Sequence, residues 1–268
     1  MLSKRIALTA ATCVLLAAGA TACGDDKAGG TGGGTGGDAA KGGAAATTTV
    51  PKLDTDKLSA KEIFKQAKDA LAAASSVHIV GKVSSAKGEM AIDLALDNKG
   101  QCSGSMSLPG KGKVELVGTG KQMYMKPDKT FWLAVGGSNG AQVYELVKGR
   151  YVTGVEDDPK MKDLMEFCHL SKAAATMLKE DSGNPVKGEA GTVNGVKTFS
   201  LKEKDDDGEA LIHIATEGKF YPVRVENAAG QTTGKIDFTD YDKPLTVQAP
   251  PDDQTIDLSV FKNQLKSA

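Results

Sequence analysis

The chain has 268 residues, 25% of them charged and 40% hydrophobic, with 33 lysines and arginines against 34 aspartates and glutamates. This even balance, without an arginine-rich stretch or a basic run interleaved with aromatic residues, excludes a nucleic-acid partner. The three histidines, His78, His169 and His213, stand on separate segments, and H-E-x-x-H, C-x-x-C and G-x-S-x-G are all absent. No metal site, cofactor site or nucleophile elbow is therefore encoded locally, and the protein is expected to bind rather than to catalyse.

Residues 1–22 have the three-part layout of a secretory signal: a basic start at Lys4 and Arg5, an apolar run from Ile6 to Ala18, then small residues. The apolar run is shorter than the roughly 20 residues a membrane span needs. Ala20-Thr21-Ala22-Cys23 reads as a lipobox, at which bacterial export machinery attaches lipid to Cys23 and cleaves before it. Ala20 stands where leucine is usual, and Ala20-Thr21-Ala22 also satisfies the A-x-A rule of an ordinary secretory signal. The stretch that follows favours the lipoprotein. Residues 23–53 are dominated by Gly, Ala and Thr, too polar and too small to repay the entropy of ordering, and are expected to form a disordered tether. Over Ala28–Val50 its root-mean-square reach is roughly 25 to 30 Å, enough to lift a domain clear of a membrane surface. GGTGGGTGG within it lacks the Gly-Lys-Ser/Thr and the preceding strand of a phosphate loop. The expected location is the outer, extracytoplasmic face of the cell membrane, with the membrane itself as partner through the N-terminal lipid.

Residues 54–268 remain for the folded part. Ser59-x-x-Glu62 is a capping box opening a helix with Ile63, Phe64, Ala67, Ala70, Leu71 and Ala74 on one face. The period then switches to two. Val77, Ile79 and Val83 alternate with polar neighbours, as do Met90, Ile92, Leu94 and Leu96, giving two antiparallel strands joined near Ala86-Lys87-Gly88. Cys102, Gly104, Met106 and Leu108 fall on one face of a third strand, with Ser103, Ser105 and Ser107 on the other. Further strands are expected over Lys113–Gly118, Gln122–Lys126 and, after Pro127-Asp128, Thr130–Val135. A short helix is expected over Ala141–Val147. Asp158-Pro159 opens another that carries Met161, Leu164, Met165 and Cys168, and a further one spans Ser171–Lys179. Asn194-Gly195 marks a hairpin, with strands at Val196–Glu203, Ala210–Thr216, Phe220–Asn227 and Lys235–Tyr241 and a terminal helix at Leu258–Leu265. Asp205-Asp206-Asp207-Gly208 lacks the spacing and distal glutamate of a calcium loop and reads as a charged hairpin tip.

The fold class is α+β: one large antiparallel sheet of about ten strands, curved because so many strands rarely stay flat, with helices covering its concave face. Two successive small domains divided near Asp181 is the alternative. A meander of half-buried strands excludes a parallel nucleotide-binding sheet.

The order of elements resembles that of the LolA-like lipoprotein carriers, and within them the LppX and LprG branch of actinobacterial lipoproteins. The likeness is carried by a helix leading into Ser76-Val77-His78-Ile79 with Gly81, then Ser107-Leu108-Pro109, Met123-Tyr124-Met125-Lys126, Phe131-Trp132, Tyr221-Pro222, and Ala249-Pro250-Pro251 with Ile256-Asp257-Leu258. It implies a half-open β-barrel covered by helices, a monomer, and an apolar cavity holding the acyl chains of a lipid or lipoglycan. The candidate cavity residues are Met90, Ile92, Leu94, Met106, Met123, Met125, Leu164 and Met165, since flexible, polarizable methionine adapts to chains of varying length. The same residues suit an ordinary filled core, in which case an outer surface would serve an envelope partner or a sensing role.

Of the four cysteines, Cys13 leaves with the signal and Cys23 takes the lipid. Cys102 and Cys168 remain, an even pair in an oxidising compartment, each on the apolar face of its element. A disulfide between them would staple a helix onto the sheet; two separate buried thiols is the other outcome.

Overall fold

The computed structural model describes residues 52–154, 166–178, 184–205, 208–230 and 232–259, all within the compact unit Thr48–Ala268. The signal segment, Cys23, most of the tether, and Met161, Leu164 and Met165 lie outside the described residues.

Helix α1, Ala60–Ala73, opens as its capping box requires. Ser59 Oγ accepts from the Glu62 amide, and the Glu62 carboxylate accepts from the Ser59 amide at 2.7 Å. Five strands follow as a meander: β1 Ser76–Ser85, β2 Gly88–Asp97, β3 Gln101–Leu108, β4 Gly112–Thr119 and β5 Met123–Pro127. Next come helices α2 (Lys129–Val135) and α3 (Gly140–Val147), strand β6 (Tyr151–Thr153) and helix α4 (Leu170–Met177). The chain then adds β7 Val186–Val193, β8 Val196–Asp205, β9 Gly208–Ala215, β10 Pro222–Gly230, β11 Thr232–Thr239 and β12 Thr255–Asp257.

These twelve strands form one sheet in the order β12-β6-β5-β4-β3-β2-β1-β11-β10-β9-β8-β7. Because β1 pairs with β11 over eight residues, strands from before and after Asp181 share that sheet. Two expectations need correction. The sheet is not wholly antiparallel: β12 runs parallel to β6, because the tail beyond Tyr241 crosses the sheet's width before adding at the far edge. And Thr130–Val135 is helical, not a strand. Asp128 caps it, its Oδ1 accepting from the Phe131 amide at 2.7 Å while its Oδ2 accepts from the Lys113 amide at 2.9 Å. A side chain that satisfies an orphan helix donor and anchors the turn to β4 outweighs the β-propensity of Thr, Phe, Trp and Val.

The register aligns the inward side chains into rows across the sheet. One long row joins Phe238, Ile79, Leu94, Gly104, Leu116, Met125, Val152 and Ile256 on eight successive strands. At Gly104, with φ at 150°, an added Cβ would meet the Asp93 carbonyl and Leu94 Cα, so the neighbouring strand approaches closer than any side chain permits. The apolar residues of α1, Ile63, Phe64, Ala67 and Leu71, belong to the same buried cluster as these rows, as do Phe131 and Trp132 of α2 and Leu170, Ala173 and Ala174 of α4. The helices therefore cover one face. At the β8 side the β7–β8 turn, with Asn194 and Gly195 both at positive φ, reaches over the opposite face. There Asn194 Nδ2 donates to Asp237 Oδ1 at 3.0 Å, and Arg224 bonds Asp237, Glu226 and Asn194 together.

Candidate functional site

Four inward rows succeed one another from one end of the covered face to the other, and burial changes from row to row. The first joins Glu203, Ala210, Asn227, Gly234, Val83 and Met90. The second joins Leu201, Ile212, Val225, Ile236, Gly81, Ile92, Met106 and Val114. The third is the long row described above, and the fourth joins Val77, Leu96, Cys102, Gly118 and Met123.

In the third row Leu94 and Leu116 are fully buried and Met125 is 2% exposed; in the second, Met106 is 1% exposed while Val225 and Ile236 are half-buried. In the first row Val83, Met90, Ala210 and Asn227 are all half-buried, and Gly234 is exposed. The covered face thus has a closed end, at the start of β1, and an open end, at the β1–β2 turn. Of the predicted cavity residues the structure brings six onto this one face: Met90 at the open end, Ile92 and Met106 next, Leu94 and Met125 at the centre, and Met123, half-buried, at the closed end. Leu164 and Met165 lie outside the described residues.

The closed end is held three ways. Cys102 is bonded to Cys168 with their Cα atoms 5.3 Å apart, joining the segment before α4 to β3. Gly118 faces Cys102 across the β3–β4 pair, where a Cβ would lie 3.0 Å from Cys102 Sγ and 2.7 Å from Met123 Sδ, so its lack of a side chain makes room for the bond. At this end Asp242 gathers donors from two other parts of the chain. Its carboxylate accepts from the Tyr221 hydroxyl at 2.6 Å, the Ser75 amide at 2.8 Å and Lys219 Nζ at 2.9 Å. These bonds, the one from Tyr221 foremost, hold Asp242 well below the usual carboxylate range and, with burial minor, keep it ionised. Tyr241 stacks on Tyr221 with ring centroids 3.9 Å apart and donates to the Pro222 carbonyl at 2.8 Å; burial pushes its phenol far up. Lys52 bridges to Glu217 at this same end. A shallow pocket of about 250 Å³ also opens there between Val77, Leu96 and the tail residues Pro244 and Leu245. It is below the usual volume of a site for a drug-sized ligand.

Sequence reasoning missed Glu203 and Asn227. Glu203 is 8% exposed, on the same side of β8 as the fully buried Leu201, while Lys202 and Lys204 point outward. The alternation with Leu201 was the available signal, and the charged run Lys202-Glu203-Lys204 concealed it. Among the described residues no group of three or more His, Cys, Asp or Glu could hold a metal ion, and no helix is long and apolar enough to cross a membrane.

No family model matches the chain, and no curated protein sequence matches it. Among solved structures it is similar to LprF from Mycobacterium bovis, with 17% identity over 71% of this chain and 96% of that one and a TM-score of 0.48. It is also similar to the lipoprotein LppX from Mycobacterium tuberculosis, at 11% identity over 70% and 97% with a TM-score of 0.44. A LolA superfamily protein from Nitrosomonas europaea follows, at 9% identity over 73% and 96% with a TM-score of 0.24. The LppX type and the LolA superfamily, to which the order of sequence elements points, are thus both among the similar structures. The α+β class itself rests on the strand order and register.

Proposed function

We propose that this chain is an exported lipoprotein, held by lipid on Cys23 to the outer face of the cell membrane, whose covered sheet face binds acyl chains as an envelope carrier. It makes and breaks no bond. The observation that carries the reading is the fall in burial of inward apolar side chains from row to row along β1 and β2, from the packed third row to the half-buried Val83 and Met90. Such a gradient leaves an apolar entrance to a face that methionines allow to adapt. Each methylene taken from water there is worth about 0.8 kcal/mol, so a long alkyl chain needs no polar anchor to stay.

The second reading, an interaction or sensor protein with a filled core, is favoured by one observation: Leu94, Leu116, Met106 and Met125 are at most 2% exposed. Mass spectrometry of an organic extract separates the two. The mature chain bearing Cys23→Ser is expected to co-purify with lipid and to take up a fluorescent fatty acid; an empty protein that takes up none sinks the carrier. The anchor is tested separately, since Cys23→Ser should move the protein out of the membrane fraction.

A further inference from the structure

We infer that Trp132 is the polar anchor of the acyl site, its indole N–H donating to the ester or amide carbonyl at the head of a bound chain. This rests on the carrier reading above and names the group by which the covered face tells an acyl chain from a bare hydrocarbon. Three buried side-chain polar atoms among the described residues have no hydrogen-bond partner: Trp132 Nε1, Thr198 Oγ1 and His213 Nε2. Thr198 and His213 alternate with the inward Leu201 and Ile212 and so belong to the uncovered face of β8 and β9. Trp132 belongs instead to the buried cluster of the covered face, with 5% of its surface exposed. An indole N–H can only donate, and a buried one usually has an acceptor. This one has given up water and gained no partner in return, which leaves a donor that a ligand's carbonyl would satisfy.

The place of α2 fits that role. Pro127, which ends β5, continues the second row from Val114, and α2 starts two residues later at the open end. An added Cβ at Gly112 of β4 would lie 2.8 Å from both the Phe131 amide nitrogen and Thr130 Cβ, so the start of α2 rests directly on that strand. Strand β4 is two places from β2 in the sheet, or about 10 Å. A chain that enters over Val83 and Met90 therefore meets α2 after crossing β3, where Met106 and the half-buried Leu108 supply apolar surface. Phe131 packs edge-on against Trp132, with ring centroids 5.9 Å apart, and limits the freedom of the indole. Burial of methylenes keeps a chain bound; the bond from Trp132 sets where along the face it stops. A bare alkane leaves the donor unpaired, and a carboxylate head has to lose its water to reach it.

Trp132 is the single tryptophan of the chain, so its indole N–H gives one resonance in a nitrogen-edited proton NMR spectrum. The test loads the mature chain bearing Cys23→Ser with methyl palmitate or with hexadecane. The resonance should move downfield with the ester, as an N–H does on donating to a carbonyl, and should not do so with the alkane. When both ligands are offered in equal amounts and the retained lipid is quantified after gel filtration, Trp132→Phe should lower the ratio of ester to alkane about fivefold, the size of one net hydrogen bond. An indole resonance that is the same with either ligand, or a ratio that Trp132→Phe leaves unchanged, overturns the inference and leaves the carrier standing. Retention of neither ligand overturns both. A thermal melt establishes that the variant is folded before its ratio is read, and the resonance of the parent decides the matter if it is not.

Discussion

The two ends of the covered face are built on the same strands with the same alternation, yet they are held in different ways. At the closed end the Cys102–Cys168 bond, the Asp242 carboxylate and the Tyr221–Tyr241 stack tie α1, β1, β3, β10 and the segment before α4 together. At the open end Val83, Met90, Val225 and Ile236 remain half-buried. The closed end spends its side chains on stability. The open end keeps accessible apolar surface, a feature that costs stability and that a site for an apolar ligand would retain.

Core truncation should show the largest difference, between the packed third row at the centre and the open end. Leu116 is fully buried and faces Gly104, which has no side chain to move into a void. Leu116→Ala is expected to cost about 3 to 5 kcal/mol in urea unfolding, while Met90→Ala should cost less than about 1 kcal/mol. Equal losses would abolish the distinction between the packed centre and the open end. The disulfide comes next. Its cysteines are 66 residues apart, for which chain entropy gives roughly 4 kcal/mol. The Cys102→Ala/Cys168→Ala double variant should lose about 2 to 4 kcal/mol. Titrating thiols in the denatured, unreduced Cys23→Ser protein checks the bond itself, and two reactive thiols would refute it.

Which parts of this were legible beforehand follows from the range of the interaction. The capping box of α1 and the alternation of β1 to β4 are local, and the sequence carries them openly. So too is the turn at Asn194-Gly195. Strands β6 and β12, three residues each, are too short to display a period and exist because the long tail reaches Tyr151–Thr153. Helix α2 depends on Asp128 meeting Lys113 fifteen residues away. The inward rows depend on the β1–β11 register, which pairs His78 with Thr239. Nothing within either strand specifies that pairing, so the six cavity candidates could be placed on faces but not at depths, and Glu203 and Asn227 could not be placed in one row with Met90.

A smaller effect is expected at the Asp242 network. Its carboxyl pKa is depressed below the ordinary 3.8 in the folded chain, so the unfolded chain binds a proton first as pH falls. The stabilisation is fully present above about pH 4 and is lost as pH drops below that value toward the folded pKa. The side chain is 37% exposed, and solvent screening limits the effect. Asp242→Asn should cost about 1 kcal/mol at pH 7 and should flatten the acid limb of stability between pH 4 and 2. An acid limb identical to the parent's would show that the closed end does not depend on this charge.

The smallest effect belongs to His213, on the uncovered face of β9, and it asks whether that face behaves like either end. His213 stands opposite Ser200 and Arg224, and its Nε2 lies 4.0 Å from Glu226 Oε2, too far for a hydrogen bond. Burial lowers its pKa below the ordinary 6.5; Glu226 opposes that shift and Arg224 adds to it. Arg224 is itself neutralised by Asp237 at 2.6 Å, which limits its repulsion of an imidazolium. With the folded pKa depressed, the unfolded chain takes up the proton first, so stability is present above pH 6.5 and declines as pH falls through the window below it. His213→Gln removes the titration, and stability measured at pH 7.5 and 5 should then differ less than in the parent, by under about 1 kcal/mol. If the two proteins respond alike, protonated His213 is accommodated by Glu226. The β7–β8 turn, docked through Asn194 onto Arg224 and Asp237, would then be insensitive to mild acid, and pH dependence would be confined to the closed end.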